Sequence, residues 1–388
     1  MKIGMDVHSI GSGKGGNETY YRYLLSGLAA IDRENEYRLY GPQRSINQLM
    51  GLPSNFHLHT IASTNPHVRI PFGLPFAMAR DRVDVFHAQF IVPPGLKCKT
   101  VAAIFDITYE HFPEAFPFYQ RMWSKTLIRS SARRADHIVT LSEFSKQDIA
   151  RTYRIDEAKI TVTTLGAGKE FYPRDRNAAK ELLERGYGIK EDFVLYLGRL
   201  QARKNLVRLV EAYARVQQAG FPHKLVLAGK QDFLFEPVQA RIRELKLENH
   251  VLIPGYVHPE HIPSFYSAAD LFVFPSLYEG FGLPVIEAMA CGVPVVTSRS
   301  SSLEEVAGDA ALLVGPLDPD ALTKAMQIAL SDADLRTRLR SAGLQRSTDY
   351  SAERTARTTM SVYEAVMGTD RPRISRIAPP ASSFHNSY

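Results

Sequence analysis

The sequence predicts an α/β protein with two domains, each built on a mostly parallel β-sheet wrapped by helices. In both halves of the chain, short apolar runs alternate with longer amphipathic segments, which is the pattern of βαβ units. With 388 residues, the chain is long enough for two full hydrophobic cores. Its 45% hydrophobic and 23% charged residues are ordinary for a globular protein.

The first domain opens with a predicted strand over residues 3–7, a glycine-rich loop and a helix. The loop is not a P-loop, because Lys14 is followed by Gly15 and Gly16 where that motif needs Ser or Thr. The glycine spacing fits a dinucleotide fingerprint, but no acidic residue follows the second strand at the required distance. A loop that approaches a ligand and a plain flexible loop both remain open.

Further strands of the first domain are expected over 57–61, 83–87 and 100–105. His87 would then end its strand, at the edge where open parallel sheets bind ligands, and it is a candidate site residue. Asp106 follows the next strand and either orients a substrate or caps a turn. The long amphipathic helix after it carries Trp123, which is expected in the core.

Residues 166–190 are expected to link the two domains, and the second domain begins with a strand over 193–197. Arg199 and Lys204 follow this strand and precede a helix, so two cations, a glycine and a helix start come together. Strands are also expected over 224–230 and 251–257.

Residues 271–298 predict a strand, a glycine-containing turn, a helix and another strand. Pro284 suits the first turn of the helix, and such a turn presents backbone N–H groups to an anion. Glu279 lies in the turn and Glu287 in the first turns of the helix, an unusual placement for carboxylates beside an anion site.

The motif E-G-F-G-L-P-x-x-E followed by A-x-A-x-G-x-P-V-V resembles the donor-sugar motif of retaining GT-B glycosyltransferases, in particular family 4 (group 1) of mannosyltransferase type. The segment G-R-L-x-x-x-K-N resembles the diphosphate clamp of the same family. The resemblance covers about residues 1–367 and implies the GT-B fold, two Rossmann-like domains facing across a cleft. It implies an acceptor domain over 1–170, a donor domain over 188–350, and a helix over 351–367 that packs back on the first domain. The tail over 368–388 is expected to be disordered.

The resemblance also implies roles for single residues. Glu279 would bind the hydroxyls of the sugar, Glu287 the ribose, and Arg199 with Lys204 the leaving diphosphate. Asp106 and His87 would complete the candidate catalytic set, although Phe105 stands where the family usually has histidine. Further donor contacts are expected from Gly280, Phe281, Gly282, Leu283, Gly15, Gly16, Gly198 and Tyr256.

The activity implied is transfer of a hexose, mannose before others, from a nucleotide-diphosphate sugar to a hydroxyl of a glycan or polyprenyl-linked glycan, with retention. GDP-mannose is favoured over UDP-sugars, and no cofactor or metal is expected because no D-x-D motif of the kind that binds such a metal is seen. A non-catalytic nucleotide-sugar-binding protein and a GT-B epimerase or phosphorylase are the alternatives. Oligomerisation is left open.

The formal charge of +6 permits attraction to anionic lipids or phosphorylated substrates, and a peripheral contact with an anionic membrane is one expected partner. Nucleic acid is not expected, because the basic clusters are not interleaved with stacking aromatics. Cys98 and Cys291 lie beside apolar runs and are expected to be buried thiols. With no signal-peptide pattern at the N-terminus and no apolar run long enough to span a bilayer, the expected location is the cytoplasm, with peripheral contact at the inner membrane face.

Overall fold

The computed structural model describes residues 1–13, 15–231 and 235–368. They form two compact units. The first comprises Met1–His111, Pro117–Leu165 and the chain from Tyr350 onward, and the second comprises Phe112–Phe116 and Gly166–Asp349. Lys14, residues 232–234 and residues 369–388, which include the tail expected to be disordered, lie outside the described residues.

The strands of the described chain form two sheets in which every neighbouring pair is parallel. The first sheet has the order β3-β2-β1-β4-β5-β6-β7 and the second β10-β9-β8-β11-β12-β13. The strand bounds are β1 Lys2–Asp6, β2 Glu36–Gly41, β3 Phe56–Thr60, β4 Val85–Gln89, β5 Lys99–Ala103, β6 His137–Thr140, β7 Ile160–Val162, β8 Phe193–Leu197, β9 Lys224–Ala228, β10 Val251–Gly255, β11 Leu271–Phe274, β12 Val295–Ser298 and β13 Leu312–Val314.

Helices connect most of these strands, as is usual for parallel pairing, and a loop without a helix joins β4 to β5. Their bounds are α1 Gly16–Ile31, α2 Gln43–Asn47, α3 Pro66–Val68, α4 Leu74–Asp81, α5 Thr108–His111, α6 Phe118–Arg134, α7 Glu143–Tyr153, α8 Arg176–Tyr187, α9 Leu206–Gln218, α10 Glu236–Glu244, α11 Ile262–Ala268, α12 Leu283–Ala290, α13 Ser302–Ala307, α14 Pro319–Ser331, α15 Ala333–Thr348 and α16 Ala352–Met367. None of the helices in these described ranges is both long and apolar enough to cross a membrane.

The last helix, α16, packs against α1 in the first unit. The two helices approach closely at Gly27, where a Cβ atom would lie 2.1 Å from the carbonyl oxygen of Ala352. Tyr363 of α16 is fully buried, and the hydroxyl of Thr355 donates to the carbonyl of Thr164. The first unit is thus assembled from both ends of the described chain.

Several expectations about local structure are wrong. Trp123 and Cys98, which were expected to be buried, are only half-buried. The segment 166–190, expected to be a linker, contains helix α8, which packs against α11. Asp175 caps the start of α8 by accepting a hydrogen bond from the N–H of Ala178, and Gly188 ends the helix in the left-handed region, so both ends of α8 have local capping signals. Strand β4 begins two residues later than expected and runs on to Gln89.

Candidate functional site

The carboxyl ends of β8 and β11 are neighbours at the point where the strand order of the second sheet reverses. From β8 the chain continues to β9 and β10 on one side, whereas β11 to β13 lie on the other side. Loops that diverge from two neighbouring strands open a crevice at this edge, where open α/β sheets bind ligands. Lys204 follows β8 and Glu279 follows β11, so both residues come to this edge.

Asn205 fastens the loop after β8 to the loops after other strands. Its backbone has a φ of 63°, which asparagine adopts more readily than most residues. Its amide donates to the carbonyl oxygens of Pro275, at 3.1 Å, and Pro316, at 2.6 Å. These bonds hold Lys204, the preceding residue, beside the turn that carries Glu279.

The carboxylate of Glu279 is buried and surrounded by donors. The ammonium of Lys204 donates to its Oε1 atom, and Nη1 of Arg203 lies 2.9 Å from the same oxygen. The hydroxyl of Ser276 also donates to Oε1, at 2.6 Å. The hydrogen bonds from Lys204 and Ser276 and the ion pair with Arg203 thus meet at one oxygen of this carboxylate.

Glu279 is ionised at neutral pH. Burial by itself raises the pKa of this carboxyl, but the charges of Arg203 and Lys204, with the hydrogen bonds from Lys204 and Ser276, hold the pKa at about 2. An ionised carboxylate accepts stronger hydrogen bonds from hydroxyl groups than a neutral group does. The arrangement can therefore bind a polyhydroxylated ligand next to two cations.

Helix α12 begins at the same edge, and the expected strand–turn–helix–strand unit is confirmed. Its N-cap is Gly282, with a φ of 104°, and a Cβ atom there would lie 2.6 Å from Cδ2 of Leu303. Glycine is therefore needed on both conformational and steric grounds. Gly280 and Phe281 are buried in the turn before it, and Leu283 opens the helix. The N-terminus of α12 gives this edge a partial positive charge.

Glu287 lies one turn further along α12 and is half-buried. The hydroxyl of Tyr266 donates to its Oε2 atom at 3.0 Å. Burial raises the pKa of Glu287 to about 7, although the bond from Tyr266 opposes the shift, and the charge of Glu170 adds to it. The two glutamates of one motif thus differ in protonation, because only Glu279 has cations beside it.

The remaining predicted residues of the second unit follow β8 and β10, at the same edge of the sheet. Arg199 is exposed directly after β8, and Tyr256, after β10, is 61% exposed. The backbones at the ends of β8 and β9 are in close approach, since a Cβ atom on Gly229 would lie 1.9 Å from the carbonyl oxygen of Gly198. The structure therefore brings the donor residues predicted in this unit to one edge.

His87 does not end its strand, and the expectation that it does is wrong. It lies in the middle of β4, paired with Met5 of β1, and is fully buried. Its Nε2 atom lies 3.3 Å from the hydroxyl of Tyr20, and its Nδ1 atom 2.8 Å from that of Tyr363. Burial lowers the pKa of His87 to about 3, so the ring is neutral. A histidine whose two ring nitrogens both have buried partners can lie inside an apolar strand. The sequence-based prediction placed the end of the strand at His87 because the residue is polar.

Asp106 caps the turn before α5. Its Oδ1 atom accepts hydrogen bonds from the N–H of Thr108, at 2.9 Å, and from its hydroxyl, at 2.6 Å. This is one of the two roles that the sequence left open, and a role toward the acceptor stays a prediction. Phe105 is buried, with its ring centroid 4.4 Å from that of Tyr20 and 5.2 Å from that of Phe90. Its ring therefore belongs to the core of the first unit.

Gly15 and Gly16 lie at the start of α1, in the loop after β1. This is the switch point of the first sheet, where β1 and β4 are neighbours. Both glycines are exposed, and a Cβ atom at either position would meet nothing within 4 Å. The loop thus has open space in front of it, and its contact with a ligand stays a prediction.

Arg203 and Ser276 complete the surroundings of Glu279 and were missed in the sequence. Arg203 lies in the 3-10 turn Ala202–Lys204 and also donates to the carbonyl of Tyr278. The sequence did contain signals for both residues, because Arg203 directly precedes Lys204 and Ser276 stands three residues before Glu279. In residues 1–13, 15–231 and 235–368, no group of three or more His, Cys, Asp or Glu side chains could hold a metal ion.

Two family models match the chain, one in each half. Residues 14–167 match the model described as Glycosyltransferase Family 4, and residues 180–346 match Glycosyl transferases group 1. The O-antigen chain mannosyltransferase B of Escherichia coli is 32% identical over 292 residues, which are 74% of this chain and 75% of that protein.

Solved structures show the same architecture. Sucrose-phosphate synthase from Thermosynechococcus elongatus matches with a TM-score of 0.75 and 22% identity, over 95% of this chain and 100% of that one. HepE of Anabaena, in complex with UDP and glucose, matches with a TM-score of 0.72 and 18% identity. The match covers 94% of this chain and 100% of that one. Likeness at this level establishes the GT-B fold of two parallel-sheet α/β domains.

Proposed function

Because this chain belongs to the family 4 (group 1) glycosyltransferases, we propose that it transfers a mannosyl residue from GDP-mannose to a hydroxyl of a growing surface polysaccharide, with retention at the anomeric carbon. The chain is a glycosyltransferase, and its relative in Escherichia coli is named for O-antigen chain mannosylation. The donor, the stereochemistry and the acceptor are the proposed parts.

The surroundings of Glu279 carry the proposal. A buried carboxylate kept ionised by Arg203 and Lys204 can accept hydrogen bonds from sugar hydroxyls. Lys204 has three N–H donors, and it follows β8 in the same loop as the exposed Arg199. A sugar and the diphosphate attached to it would thus find an acceptor and cations side by side.

In the proposed reaction, the acceptor oxygen forms a bond to the anomeric carbon as the bond from that carbon to the phosphate oxygen breaks. Negative charge builds up on the departing nucleoside diphosphate, and Arg199, Lys204 and the N–H groups at the start of α12 would stabilise it. The phosphate oxygen that leaves can take the proton of the acceptor hydroxyl from the same face. No protein base is then needed, which agrees with the burial of Phe105 and His87.

Mannose is favoured by the named activity of the relative, whereas the HepE complexes show that this fold also holds UDP and glucose. GDP-mannose is therefore the proposed donor, and UDP-sugars are the second choice. We propose that Glu287 contacts the ribose of the donor and that Tyr256 lies near the nucleobase. The acceptor would be a glycan or a polyprenyl-linked glycan, reached at the inner face of an anionic membrane.

A panel of donors tests the proposal. GDP-mannose, UDP-glucose and UDP-N-acetylglucosamine would be compared by slow hydrolysis and by the shift in melting temperature. Glu279→Ala and Lys204→Ala should each lower turnover of the true donor by about a hundredfold or more. Glu181→Ala removes an exposed glutamate of α8 and serves as the matched control.

Turnover and stabilisation by GDP-mannose, lost in both site variants and kept in the control, would support the proposal. Preference for a UDP-sugar would overturn the donor assignment and leave the transferase intact. Equal turnover in Glu279→Ala and wild type would overturn the assigned role of the carboxylate.

A further inference from the structure

The first unit exposes an apolar stripe along the segment from α3 to α4. Val68, Phe72 and Phe76 recur every four residues, and a π-helical turn over Arg69–Gly73 joins α3 to α4. Phe72 is 70% exposed and Phe76 is 75% exposed. A soluble protein rarely leaves neighbouring phenylalanines open to water unless something covers them.

The N-terminal half of α6 exposes a second set of apolar side chains, Phe118, Tyr119 and Met122. The two sets are joined by ring contacts. Trp123 meets the ring of His67 edge-on at 4.4 Å between centroids, and Tyr119 stacks on Trp123 at 6.4 Å. His67 directly precedes Val68, so the two stripes form one surface.

Helix α6 becomes basic toward its C-terminus. Over Phe118–Arg134 it carries one lysine, four arginines and no carboxylate. Arg129 and Arg133 are exposed one turn apart, in line with the apolar stripe of the same helix. An open groove of about 690 Å³ lies along this part of α6 and is lined by Lys125, Arg129, Arg133 and Arg134, with Glu110 paired to Lys125.

We propose that this aromatic–basic surface, formed by Val68, Phe72, Phe76, Phe118, Tyr119, Met122, Arg129 and Arg133, docks the first unit onto an anionic phospholipid bilayer. At a bilayer surface, exposed phenylalanines are buried at the boundary between headgroups and acyl chains, and a tyrosine such as Tyr119 favours the headgroup level, where its hydroxyl stays hydrated. Arginines beside them meet lipid phosphates, and the attraction falls off within a Debye length. The proposal names the surface for the membrane contact in the proposed function and does not depend on which sugar is transferred.

Charge complementarity favours a bilayer over a second copy of the chain. Pairing two copies of this surface would bring two sets of exposed arginines together with no carboxylate on α6 to offset them. An anionic bilayer can interact with both parts of the surface at once. The apolar side chains are buried at the bilayer boundary, and the arginines pair with the lipid phosphates.

The test is sedimentation of the full-length protein with vesicles, two parts phosphatidylcholine to one part phosphatidylglycerol, and with vesicles of phosphatidylcholine alone. Wild type should bind the anionic vesicles, and Phe72→Ser with Phe76→Ser should lower the partition constant by about tenfold or more. Arg129→Gln with Arg133→Gln should lower it by a similar factor, and high salt should remove this difference.

Matched controls lie elsewhere in the same unit. Met50→Ser removes an equally exposed apolar side chain, and Arg151→Gln with Arg154→Gln makes the same change in charge. Both should bind like wild type. Donor hydrolysis without vesicles should be the same in all variants, which separates a failure of docking from a failure of the proposed activity.

Binding that is absent in wild type, or equal in the surface variants and their controls, would overturn the proposal. A wild-type dimer that Phe72→Ser with Phe76→Ser converts to monomer, without any binding to vesicles, would assign the surface to a second copy instead.

Discussion

At the scale of single residues, Arg203 is the side chain whose role can be separated from that of the donor site itself. It pairs with Glu279 at 2.9 Å and is the strongest of the charges that keep the pKa of this carboxyl low. We expect Arg203→Gln to raise the pKa of Glu279, so that the carboxylate is protonated at a higher pH than in wild type. The acid limb of kcat/KM for donor turnover should then move up by about one to two pH units.

In wild type, Glu279 stays charged down to about pH 2. The pH profile of wild-type kcat/KM should therefore show no acid limb from Glu279 in the pH range where the protein is folded. Arg185→Gln, an exposed arginine on α8, provides the control for loss of one positive charge. A uniform fall in activity at every pH, with no shift of the limb, would show that Arg203 acts on the donor rather than on Glu279.

Glu287 has the opposite behaviour, since its pKa is raised to about 7. Between the ordinary value of 4.5 and about 7 the folded state holds the proton more tightly than the unfolded state. The free energy of unfolding therefore falls as pH rises through this window. The free energy of unfolding would be measured by urea denaturation at several pH values. Over this pH window it should decrease by about 1–3 kcal/mol less in Glu287→Gln than in wild type.

The comparison with Glu287→Gln isolates the carboxyl, because glutamine keeps the shape of the side chain and can still accept the bond from Tyr266. A wild-type curve that runs parallel to that of the variant between these pH values would contradict the assignment of the raised pKa to Glu287.

At the scale of elements, the start of α12 depends on Gly282. Alanine there would have to adopt a φ of 104° and would place its Cβ atom 2.6 Å from Leu303. We expect Gly282→Ala to lower the free energy of unfolding of the second unit by about 1–3 kcal/mol and to weaken donor binding. Gly186→Ala in α8 is the control, because nothing lies within 4 Å of its Cβ position.

Gly186→Ala should be neutral or stabilise by about 0.5–1 kcal/mol, since alanine favours the helix more than glycine does. Thermal unfolding followed by circular dichroism measures both variants. A Gly282→Ala protein as stable as the control would mean that the loop after β11 can rearrange without cost.

Elements with strong local signals could be predicted from the sequence. The strands β8 and β11 have the predicted bounds, since each is a short apolar run with clear flanks. His87 was misplaced because its partners, Tyr20 and Tyr363, come from distant parts of the chain. Arg203 was missed for the same reason, because its contact with Glu279 spans 76 residues of sequence. Hydrophobic periodicity carries no information about such pairs.

At the scale of the whole molecule, the first unit relies on α16 to cover α1. Truncation after Asp349 removes this helix, including the buried Tyr363 whose hydroxyl contacts His87. We expect such a protein to lose the thermal transition of the first unit while the second unit, which ends at Asp349, still unfolds cooperatively. Calorimetry would resolve the two transitions.

Truncation after Gly368 keeps α16 and is the control, which should retain both transitions. Two unchanged transitions after the truncation at Asp349 would show that the first unit closes its core without α16.

The return of α16 to the first unit also sets an order for biosynthesis. A ribosome finishes the second unit, residues 166–349, before it makes the helix that completes the first. The nascent first unit must therefore wait with the apolar face of α1 uncovered while nearly two hundred further residues emerge. The domain that is translated first is thus expected to mature last, and chaperones that protect nascent chains should bind it before α16 arrives.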